Sequence, residues 1–391
     1  MADHKLSLDP NAAWKAIKNS QVFDEVPTVV HNKGSSNNDS SKDYTRIVCM
    51  SDTHGFHREI FVPKGDVLVH AGDFTSTGEI DTIHDVIDYF QQLAFPTTIC
   101  IAGNHDLTME VEHYKTCWKR FHKKPLNAKE ARKTILKFME KSTKITSKFI
   151  YLEDSSCAVP TTAGSNNNPP AAIPFYGSPY TPEFYDWAYN AQRGQPLWDI
   201  WSKIPKETDV LVTHGPPLGR GDLCIRGGRA GCYDLLHHTQ HLIRPRVHIF
   251  GHIHEGFGTA FDGSTLYVNA SNLDVGYEAV NPCIVVDLPH DRNQPARVVQ
   301  PYCNVTGDDW MDGSWLVARG YNTLAEALRE SRCPPKDLPF SKTSFLEMDT
   351  AEMYKLIRPR LRKQLTSIQR SKTIKKELLM ALSQLYAESF D

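Results

Sequence analysis

Apolar residues recur in short runs from Tyr44 onward, each four to eight residues long and rich in Val and Ile. Many of these runs are bounded by Gly or Asp. Continuous apolar runs of this length are typical of strands that are buried on both faces of a sheet. The runs with this pattern are RIVCM, DVLVHAG, TTICIAG, KFIYL, IPFYG, DVLVTHG, VHIFGH, TLYVNA and CIVVDL.

Amphipathic segments lie between several of the apolar runs. In GEIDTIHDVIDYFQQLAF, apolar residues recur at steps of three or four, which places them on one helical face. These residues are Ile80, Ile83, Ile87, Phe90 and Leu93. Residues 129–141 and 230–243 have a similar helical pattern. Strands and helices alternate early and strands follow one another later, which predicts an α/β fold with mixed sheets.

The change in pattern along the chain predicts three regions. Residues 1–43 form an N-terminal extension with a low-complexity linker, in which Asp9 and Pro10 open a short helix. Residues 44–300 form the main domain. Residues 301–391 form a basic, largely helical extension, with nine Lys or Arg and no acid between Lys355 and Lys376. Such a run is either a solvated helix face or a contact for an anionic partner.

The composition is that of an ordinary globular protein, with 391 residues, a net charge of −2 and 40% hydrophobic residues. This charge gives no argument for binding nucleic acid or membrane. No apolar stretch approaches the roughly 20 residues of a membrane helix, and the N-terminus lacks a signal-peptide core. The nine cysteines are scattered without a CxxC pair. These features predict a reduced, cytoplasmic protein without a membrane span.

Residue types that bind metals follow five of the predicted strands. Ligands bind beyond the carboxyl ends of strands in α/β sheets, so these residues are expected to meet in one cleft. Each motif alone fits an ordinary turn or a structural histidine, whereas five in succession favour a metal site. The residues are Asp52, His54, Asp73, Asn104, His214, His252 and His254, with His105 beside them.

Seven candidate ligands favour two metal ions over one. A single zinc site uses three or four ligands, whereas two ions about 3.5–4 Å apart that share a carboxylate use seven. The absence of thiolate suits manganese, iron, zinc, cobalt or nickel. Manganese is favoured among them, and magnesium is a further alternative.

The charge of such a centre indicates what it attracts. Two divalent ions, two carboxylates and a bridging hydroxide leave about one positive charge, because Asn104 is neutral. An anionic substrate is therefore expected, and a phosphate ester fits best. Both ions would bind phosphoryl oxygens, and the hydroxide would attack phosphorus in line with the leaving oxygen.

The ordered pattern DxH, GD, GNHD, H and GHxH resembles the calcineurin-like metallophosphoesterase superfamily, and every motif matches across residues 52–254. The chain is most similar to its branch of metallophosphoesterase domain-containing proteins. That similarity rests on stretches such as RIVCMSDTHG, IAGNHDLT, TDVLVTHGPPLG and VHIFGHIHEGFGT, and it covers about residues 44–290. The resemblance implies a four-layer α/β/β/α sandwich with two mixed sheets, and makes residues 44–300 the catalytic domain.

The resemblance also implies a role for each motif residue. Asp52, His54, Asp73 and His254 would hold the first metal. Asp73 would bridge to the second, which Asn104, His214 and His252 would complete. His105 would contact the substrate and either protonate the leaving oxygen or stabilise its charge, and Asp106 would orient its imidazole. The expected activity is that of a phosphodiesterase for small nucleotides or cyclic nucleotides.

Alternatives remain open for the function and for residues outside the motifs. The chain could be a phosphomonoesterase, including a protein phosphatase, or a nucleotide-binding scaffold protein. In the glycine-rich stretch 219–232, Arg220, Arg226 and Arg229 either bind phosphate or are solvated arginines of a surface loop. Tyr176, Tyr180 and Trp187 either form a wall for a nucleobase or pack in the core.

Overall fold

The computed structural model of the chain describes residues 7–30, 43–142, 148–161, 172–224 and 228–300. All of them belong to one compact unit. The low-complexity linker up to residue 42, the residues from 301 onward and their expected helices lie outside the described residues. The predicted domain boundaries therefore stay a prediction.

The structure contains two large mixed sheets, which confirms the predicted fold class. The first sheet has seven strands in the order β1-β15-β14-β2-β3-β4-β5, and the second has six in the order β12-β13-β11-β10-β7-β6. The strands are β1 (Thr28–Val30), β2 (Tyr44–Met50), β3 (Val67–His70), β4 (Thr97–Cys100), β5 (Lys148–Tyr151), β6 (Ser155–Pro160), β7 (Ala172–Ser178), β8 (Thr181–Pro182), β9 (Asn190–Ala191), β10 (Val210–Thr213), β11 (Val247–Phe250), β12 (Gly258–Phe261), β13 (Leu266–Asn269), β14 (Ile284–Pro289) and β15 (Arg297–Gln300).

Each large sheet has a parallel centre. Strands β2 to β5 are parallel in the first sheet, and β13, β11, β10 and β7 are parallel in the second. Nearly every residue of these central strands is buried, as the continuous apolar runs predicted. Parallel strands place their carboxyl ends at one edge, so each sheet presents a row of loops there.

Six α-helices accompany the two sheets in the part of the chain that the structure describes. They are α1 (Pro10–Ile17), α2 (Ile80–Leu93), α3 (Val111–Cys117), α4 (Ala128–Ser142), α5 (Gln195–Trp201) and α6 (Tyr233–His237). Helix α2 buries Ile83, Ile87 and Phe90, three of the five residues of its predicted apolar face. Helices α5 and α6 bury Leu197, Trp201 and Leu235 in one cluster with residues of the second sheet. No helix among the described residues is both long and apolar enough to cross a membrane.

The N-terminal segment is part of this unit. Asp9 caps helix α1, where its Oδ1 accepts hydrogen bonds from the backbone N–H groups of Asn11 and Ala12, as the sequence predicted. Strand β1 pairs in parallel with β15 and forms an edge of the first sheet. Residues 7–30 thus contribute a helix and a strand to the main fold.

Candidate metal centre

The candidate ligands lie at the carboxyl ends of five central strands, three in the first sheet and two in the second. Residues Asp52 and His54 follow β2, Asp73 follows β3, Asn104 and His105 follow β4, His214 follows β10, and His252 and His254 follow β11. The structure brings these side chains together in one cluster. The five strand ends meet, and both sheets contribute to the cluster.

Among the described residues, three groups of side chains each contribute one ligand atom per residue, and within a group these atoms all lie within 4.8 Å of one another. The groups are Asp52, His54 and His254; His54, Asp73 and His105; and Asp73, His214 and His252. His54 belongs to the first two groups and Asp73 to the last two, so the groups are continuous. Asp73 therefore lies between His54 on one side of the cluster and His214 and His252 on the other.

The carboxylate of Asp73 faces imidazoles from both ends of the cluster. Its Oδ2 lies 3.3 Å from Nε2 of His214 and 3.8 Å from Nε2 of His54. Its Oδ1 accepts a hydrogen bond from the backbone N–H of His105, at 2.7 Å. One oxygen is thus fixed by the protein, while the other is directed toward two potential nitrogen ligands.

Backbone carbonyls orient two of the imidazoles. Nδ1 of His214 donates to the carbonyl oxygen of Ala71, and Nδ1 of His254 donates to that of Asp274, each at 2.9 Å. In each ring, Nε2 is left to face the cluster. Such a bond from the other ring nitrogen is how proteins usually fix metal-binding histidines.

The nitrogen atoms that face the cluster lie close to further candidate ligands. Nε2 of His54 lies 3.3 Å from Nε2 of His254, which is itself 3.5 Å from Oδ1 of Asp52. Nε2 of His214 lies 2.9 Å from Oδ1 of Asn104. Imidazole nitrogen, carboxylate oxygen and amide oxygen converging in this way form a donor set that suits divalent transition metals.

Four of the seven candidate ligands have a left-handed backbone. The φ angles are 52° at Asp52, 43° at His54, 55° at Asp73 and 68° at His252. A non-glycine residue pays roughly 1 kcal/mol or more for this conformation. Such strain accumulates where the fold requires side chains in particular positions, and here it coincides with the cluster.

Further bonds hold Asp52 in place, and one of them comes from a residue that the sequence analysis did not single out. The hydroxyl of Ser271 donates to Oδ2 of Asp52 at 2.9 Å, and the backbone N–H of His252 lies 2.9 Å from both carboxylate oxygens. Ser271 lies two residues beyond strand β13, so it also follows a strand end. A serine there carries no metal-binding signal of its own.

The backbone approaches the cluster most closely at Gly103. A Cβ atom at this position would collide with Oδ1 of Asp73 and would lie 2.5 Å from the ring of His214. Only glycine lets the chain pass between these two side chains, which explains the glycine in front of Asn104 and His105.

Burial and charge divide the imidazoles into two kinds. Burial lowers the pKa of His54 and of His252 to about 3, so both rings are neutral at neutral pH. Burial opposes protonation of His214 and His254 as well, but the carboxylates of Asp73 and Asp52 raise their pKa values to about 9 and about 8. In the protein alone, these two rings are therefore protonated at neutral pH.

The pKa values of the two carboxylates are shifted in the opposite direction from those of His214 and His254. Burial favours the neutral acids, but the imidazoles of His254 and His214 hold the pKa of Asp52 below its ordinary value. The imidazole of His214 does the same for the pKa of Asp73. Both acids are thus ionised at neutral pH, which is the state that a metal ion binds.

His105 is positioned by the carbonyl of Ser76. Nδ1 of His105 donates to that oxygen at 2.8 Å, and the ring lies against Trp187 with 4.0 Å between the ring centroids. His105 is half-buried, whereas Asp52, His54 and Asp73 are almost completely buried. One of its ring nitrogens lies within 4.8 Å of ligand atoms of His54 and Asp73, and its partial exposure puts this ring at the open side of the cluster.

The bonds of Asp106 differ from the expectation that it orients the imidazole of His105. Its carboxylate accepts hydrogen bonds from the backbone N–H groups of Gly103 and Thr75 and from the Thr75 hydroxyl, at 2.7–2.8 Å. Asp106 thereby ties the loop after β4 to the loop after β3. It acts on the position of His105 through the backbone, and the ring itself is held by Ser76.

Two aromatic side chains lie at the open side of the cluster. Tyr277 is 46% exposed, and its ring centroid lies 4.9 Å from that of His54 and 5.4 Å from that of His254. Trp187 is half-buried against His105. Tyr277 was missed because the segment DVGYEAV has neither a strand pattern nor a metal-binding residue pair.

The other two tyrosines of the expected aromatic wall pack elsewhere. Tyr176 is buried in the hydrophobic cluster with Trp201 and Leu211, and Tyr180 packs against the same cluster. Of the three residues, Trp187 alone contacts a predicted site residue in the described structure.

The arginines of the glycine-rich stretch contact the N-terminal segment. Arg220 is buried, and its guanidinium lies 4.0 Å from the ring centroid of Phe23. Arg229 lies 4.1 Å from the ring centroid of Trp14 and forms an ion pair with Asp222. Arg226 lies outside the described residues. The structure does not bring Arg220 or Arg229 into the cluster, and a role for the three arginines in substrate binding stays a prediction.

Comparisons with known proteins match the part of the chain that carries the candidate ligands. Residues 45–256 match the sequence profile of the family described as calcineurin-like phosphoesterase. Metallophosphoesterase domain-containing protein 1 of Homo sapiens and that of Mus musculus are each 42% identical to the chain over 252 residues, which cover 64% of this chain and 73% of theirs. A UPF0046 protein of Caenorhabditis elegans is 33% identical over 294 residues, which cover 73% of this chain and 69% of that protein.

Proposed function

Because the chain belongs to the calcineurin-like phosphoesterase family, and is thus a metal-dependent phosphoesterase, we propose that it hydrolyses phosphodiesters of small nucleotides, including cyclic nucleotides. The observation that carries the proposal is the position of Asp73 between two groups of imidazoles. A carboxylate in this position suits a pair of metal ions that act on one phosphoryl group.

Each half of the cluster would hold one ion. The first would bind to Asp52, His54, Asp73 and His254, and the second to Asp73, Asn104, His214 and His252. The distances among these donors support this division, since the first and last groups share no residue and the middle group joins them. Manganese is our first choice, because imidazole, carboxylate and amide donors without thiolate suit it. Iron, zinc, cobalt, nickel and magnesium are the alternatives to be tested.

Two bound divalent ions would supply Lewis acidity, binding phosphoryl oxygens and making water a nucleophile at neutral pH. The protein contributes the arrangement around them. Asn104 offers an amide oxygen where a third acid would cancel the positive charge that attracts the ester. Burial, together with the nearby charge of Asp73, raises the pKa of Asp106 to about 8, so Asp106 adds little negative charge beside the cluster at neutral pH.

His105 would act as the general acid. Its Nδ1 proton is committed to the carbonyl oxygen of Ser76, so Nε2 is the atom that exchanges a proton with the substrate. The ring lies beside the cluster, where an ester oxygen would leave. Transfer of this proton to the leaving oxygen removes the need to expel a strongly basic alkoxide.

The aromatic residues support a nucleotide as the substrate. Tyr277 and Trp187 contact imidazoles at different places around the cluster, Tyr277 at His54 and His254, Trp187 at His105. A nucleobase that stacks on an aromatic side chain gains about 1–3 kcal/mol. A phosphoryl group held by the cluster would leave the attached nucleoside beside these rings.

The test is a comparison of esters with the purified full-length chain. Bis-p-nitrophenyl phosphate, p-nitrophenyl phosphate and a panel of cyclic and linear nucleotide diesters would be assayed with added Mn²⁺, with metal content measured on the same preparation. We expect faster turnover of the diesters and no turnover by Asp73→Asn. A large preference for the monoester would overturn the diester assignment in favour of a phosphomonoesterase. Full metal occupancy without turnover of any ester would overturn the proposal as a whole.

A further inference from the structure

Arg220 joins the N-terminal segment to the loop after strand β10. Its Nη2 donates to the carbonyl oxygen of Val22 at 2.9 Å, and its guanidinium lies between the rings of Phe23 and Tyr267, 4.0 Å and 5.1 Å from their centroids. The side chain is 1% exposed. A buried guanidinium with these contacts holds the two segments in one relative position.

The residue after Arg220 contacts the loop that carries two candidate ligands. The backbone of Gly221 packs directly on that of Gly256, so closely that a Cβ atom at Gly256 would collide with the Gly221 carbonyl. Gly256 lies two residues after His254, at the end of the short helical turn that begins there. The position of Gly221 therefore limits where the loop of His252 and His254 can lie.

The amide of Asn269 connects these loops to each other. Its Nδ2 donates to the carbonyl oxygen of Gly221 at 3.1 Å and to that of Ile253, between the two histidines, at 2.8 Å. Asn269 is almost completely buried. A single side-chain amide thus fixes the loop of Arg220 and the loop of His254 against strand β13.

The side-chain amide of Asn269 is also connected to Asp52, through Ser271. Oδ1 of Asn269 accepts a hydrogen bond from the backbone N–H of Ser271 at 3.1 Å, and the Ser271 hydroxyl donates to Oδ2 of Asp52 at 2.9 Å. The contacts that begin at Phe23 and Val22 therefore lead to Asp52 and to His254. These two residues are the members of the first group that are not shared with the rest of the cluster.

We propose that Arg220 is a positioning residue for the first metal site, and that the N-terminal segment 21–24 acts through it to set the affinity of that site. The inference rests on the proposed ligand assignment. The loop would be held in place by the chain's own N-terminal segment, through Arg220, Gly221 and Asn269. Loosening the segment should weaken the first site, which has Asp52 and His254 among these contacts, more than the second. The second site has His252 alone on this loop, and its His214 is anchored to Ala71.

Two substitutions loosen this contact to different degrees. Arg220→Met removes the bond to Val22 and the charge over Phe23. Phe23→Ala removes the ring alone; because Phe23 is 55% exposed, this variant is expected to fold even where Arg220→Met does not. Phe23→Tyr keeps a ring over the guanidinium and should restore the affinity. Val22→Ala is the matched control, since the bond to Arg220 uses the backbone carbonyl of Val22.

Arg246→Met controls for the general cost of losing an arginine that is largely buried, with a side chain 12% exposed. Arg246 donates to the carbonyl oxygen of Pro289 at 2.7 Å and pairs with Asp209 at 2.8 Å. It precedes strand β11, at the end opposite to His252 and His254. Asp209 keeps Arg292 as a second partner, so the substitution leaves no unpaired acid.

Mn²⁺ titration by calorimetry, the Co²⁺ absorption spectrum and the melting temperature would be measured on the full-length metal-free variants. We expect Arg220→Met to weaken one of two Mn²⁺ sites about 10–100-fold, the usual effect of removing support from a metal ligand, and to alter the Co²⁺ spectrum. Phe23→Ala should do so to a smaller extent. Arg246→Met should lower the melting temperature with both affinities unchanged.

A lower melting temperature with unchanged Mn²⁺ affinities in Arg220→Met and Phe23→Ala would overturn the inference, as would equal weakening of both sites. If the unaltered chain binds no Mn²⁺, Co²⁺ or Zn²⁺, the ligand assignment of the proposed function is what fails. The two failures are therefore distinguishable.

Discussion

Oδ2 of Asp73 lies 3.3 Å from Nε2 of His214, although the two residues follow strands of different sheets. The same oxygen lies 3.8 Å from Nε2 of His54. One carboxylate oxygen thus connects a histidine of the first sheet with a histidine of the second. The proposed activity depends on this contact, because it makes both halves of the cluster share one acid.

Replacement of Asp73 by Asn should therefore remove the metal ions from both halves of the cluster together. The substitution keeps the shape of the side chain but removes the negative charge that both ions would share, and we expect Mn²⁺ affinity to fall more than about 100-fold at both sites. Elemental analysis after dialysis measures the result. Asp85→Asn, at a carboxylate that is 46% exposed and pairs with Arg58, is the control. Two equivalents of metal retained by Asp73→Asn would refute the shared role.

Metal affinity should rise with pH between about 6 and 9. Without metal, the pKa values of His214 and His254 are raised to about 9 and about 8, so a metal ion must displace one proton from each ring below these values. Each displaced proton costs up to about tenfold in affinity for every unit that the pH falls. Calorimetry at pH 7 in two buffers of different ionisation enthalpy should detect the release of about two protons from these rings. An affinity independent of pH over this range would contradict the expectation.

His105→Ala should retain metal and lose rate. Its ring is held by Ser76 and not by the acids of the cluster, so we expect both Mn²⁺ equivalents to remain and turnover to fall about 10²–10⁴-fold. The loss should be larger for a nucleotide diester than for bis-p-nitrophenyl phosphate, because p-nitrophenolate leaves without protonation. Equal losses for the two esters would argue against a general acid. Loss of metal would instead identify His105 as a ligand.

Tyr277→Ala should weaken the binding of nucleotides while leaving inorganic phosphate unaffected. Loss of one stacking contact corresponds to about 5–150-fold in the dissociation constant. Competitive inhibition by AMP and by phosphate measures the two effects separately. Tyr277→Phe keeps the ring and should bind AMP normally, and Tyr185→Ala, at a tyrosine that is 72% exposed, is the control. Parallel weakening of AMP and phosphate would show that Tyr277 supports the metal cluster instead.

The fold and the location of the cluster were predictable because both depend on local patterns. A buried parallel strand is an uninterrupted apolar run, and its carboxyl end is where ligands gather, so Asp52, Asp73 and His214 could be identified from what precedes them. The left-handed backbone at Asp52, His54, Asp73 and His252 had no such signal. Asp and His adopt it only because surrounding contacts compel them, and those contacts come from other strands.

The contacts that escaped prediction join residues far apart in the sequence. Arg220 lies in a glycine-rich stretch that resembles a ligand-binding loop, but its partner Phe23 is almost two hundred residues away. Ser76 orients His105 through its backbone carbonyl oxygen. Every residue has such an oxygen, so the residue type gives no signal for this contact. The adjacent Asp106 was the natural sequence-based choice for that role, yet its oxygens accept backbone N–H groups instead.

The close approach of Gly103 to Asp73 and His214 has a genetic consequence. All four glycine codons begin with GG, and every single-base change that replaces the residue introduces a side chain with at least a Cβ atom. Even alanine would push against Oδ1 of Asp73. Missense alleles at this codon are therefore expected to behave as null alleles for the enzyme, and a conservative exchange should be as damaging as a radical one. A mild phenotype of such an allele would require a second, suppressing substitution elsewhere in the gene. That substitution would have to move the loop after β3, which carries Asp73.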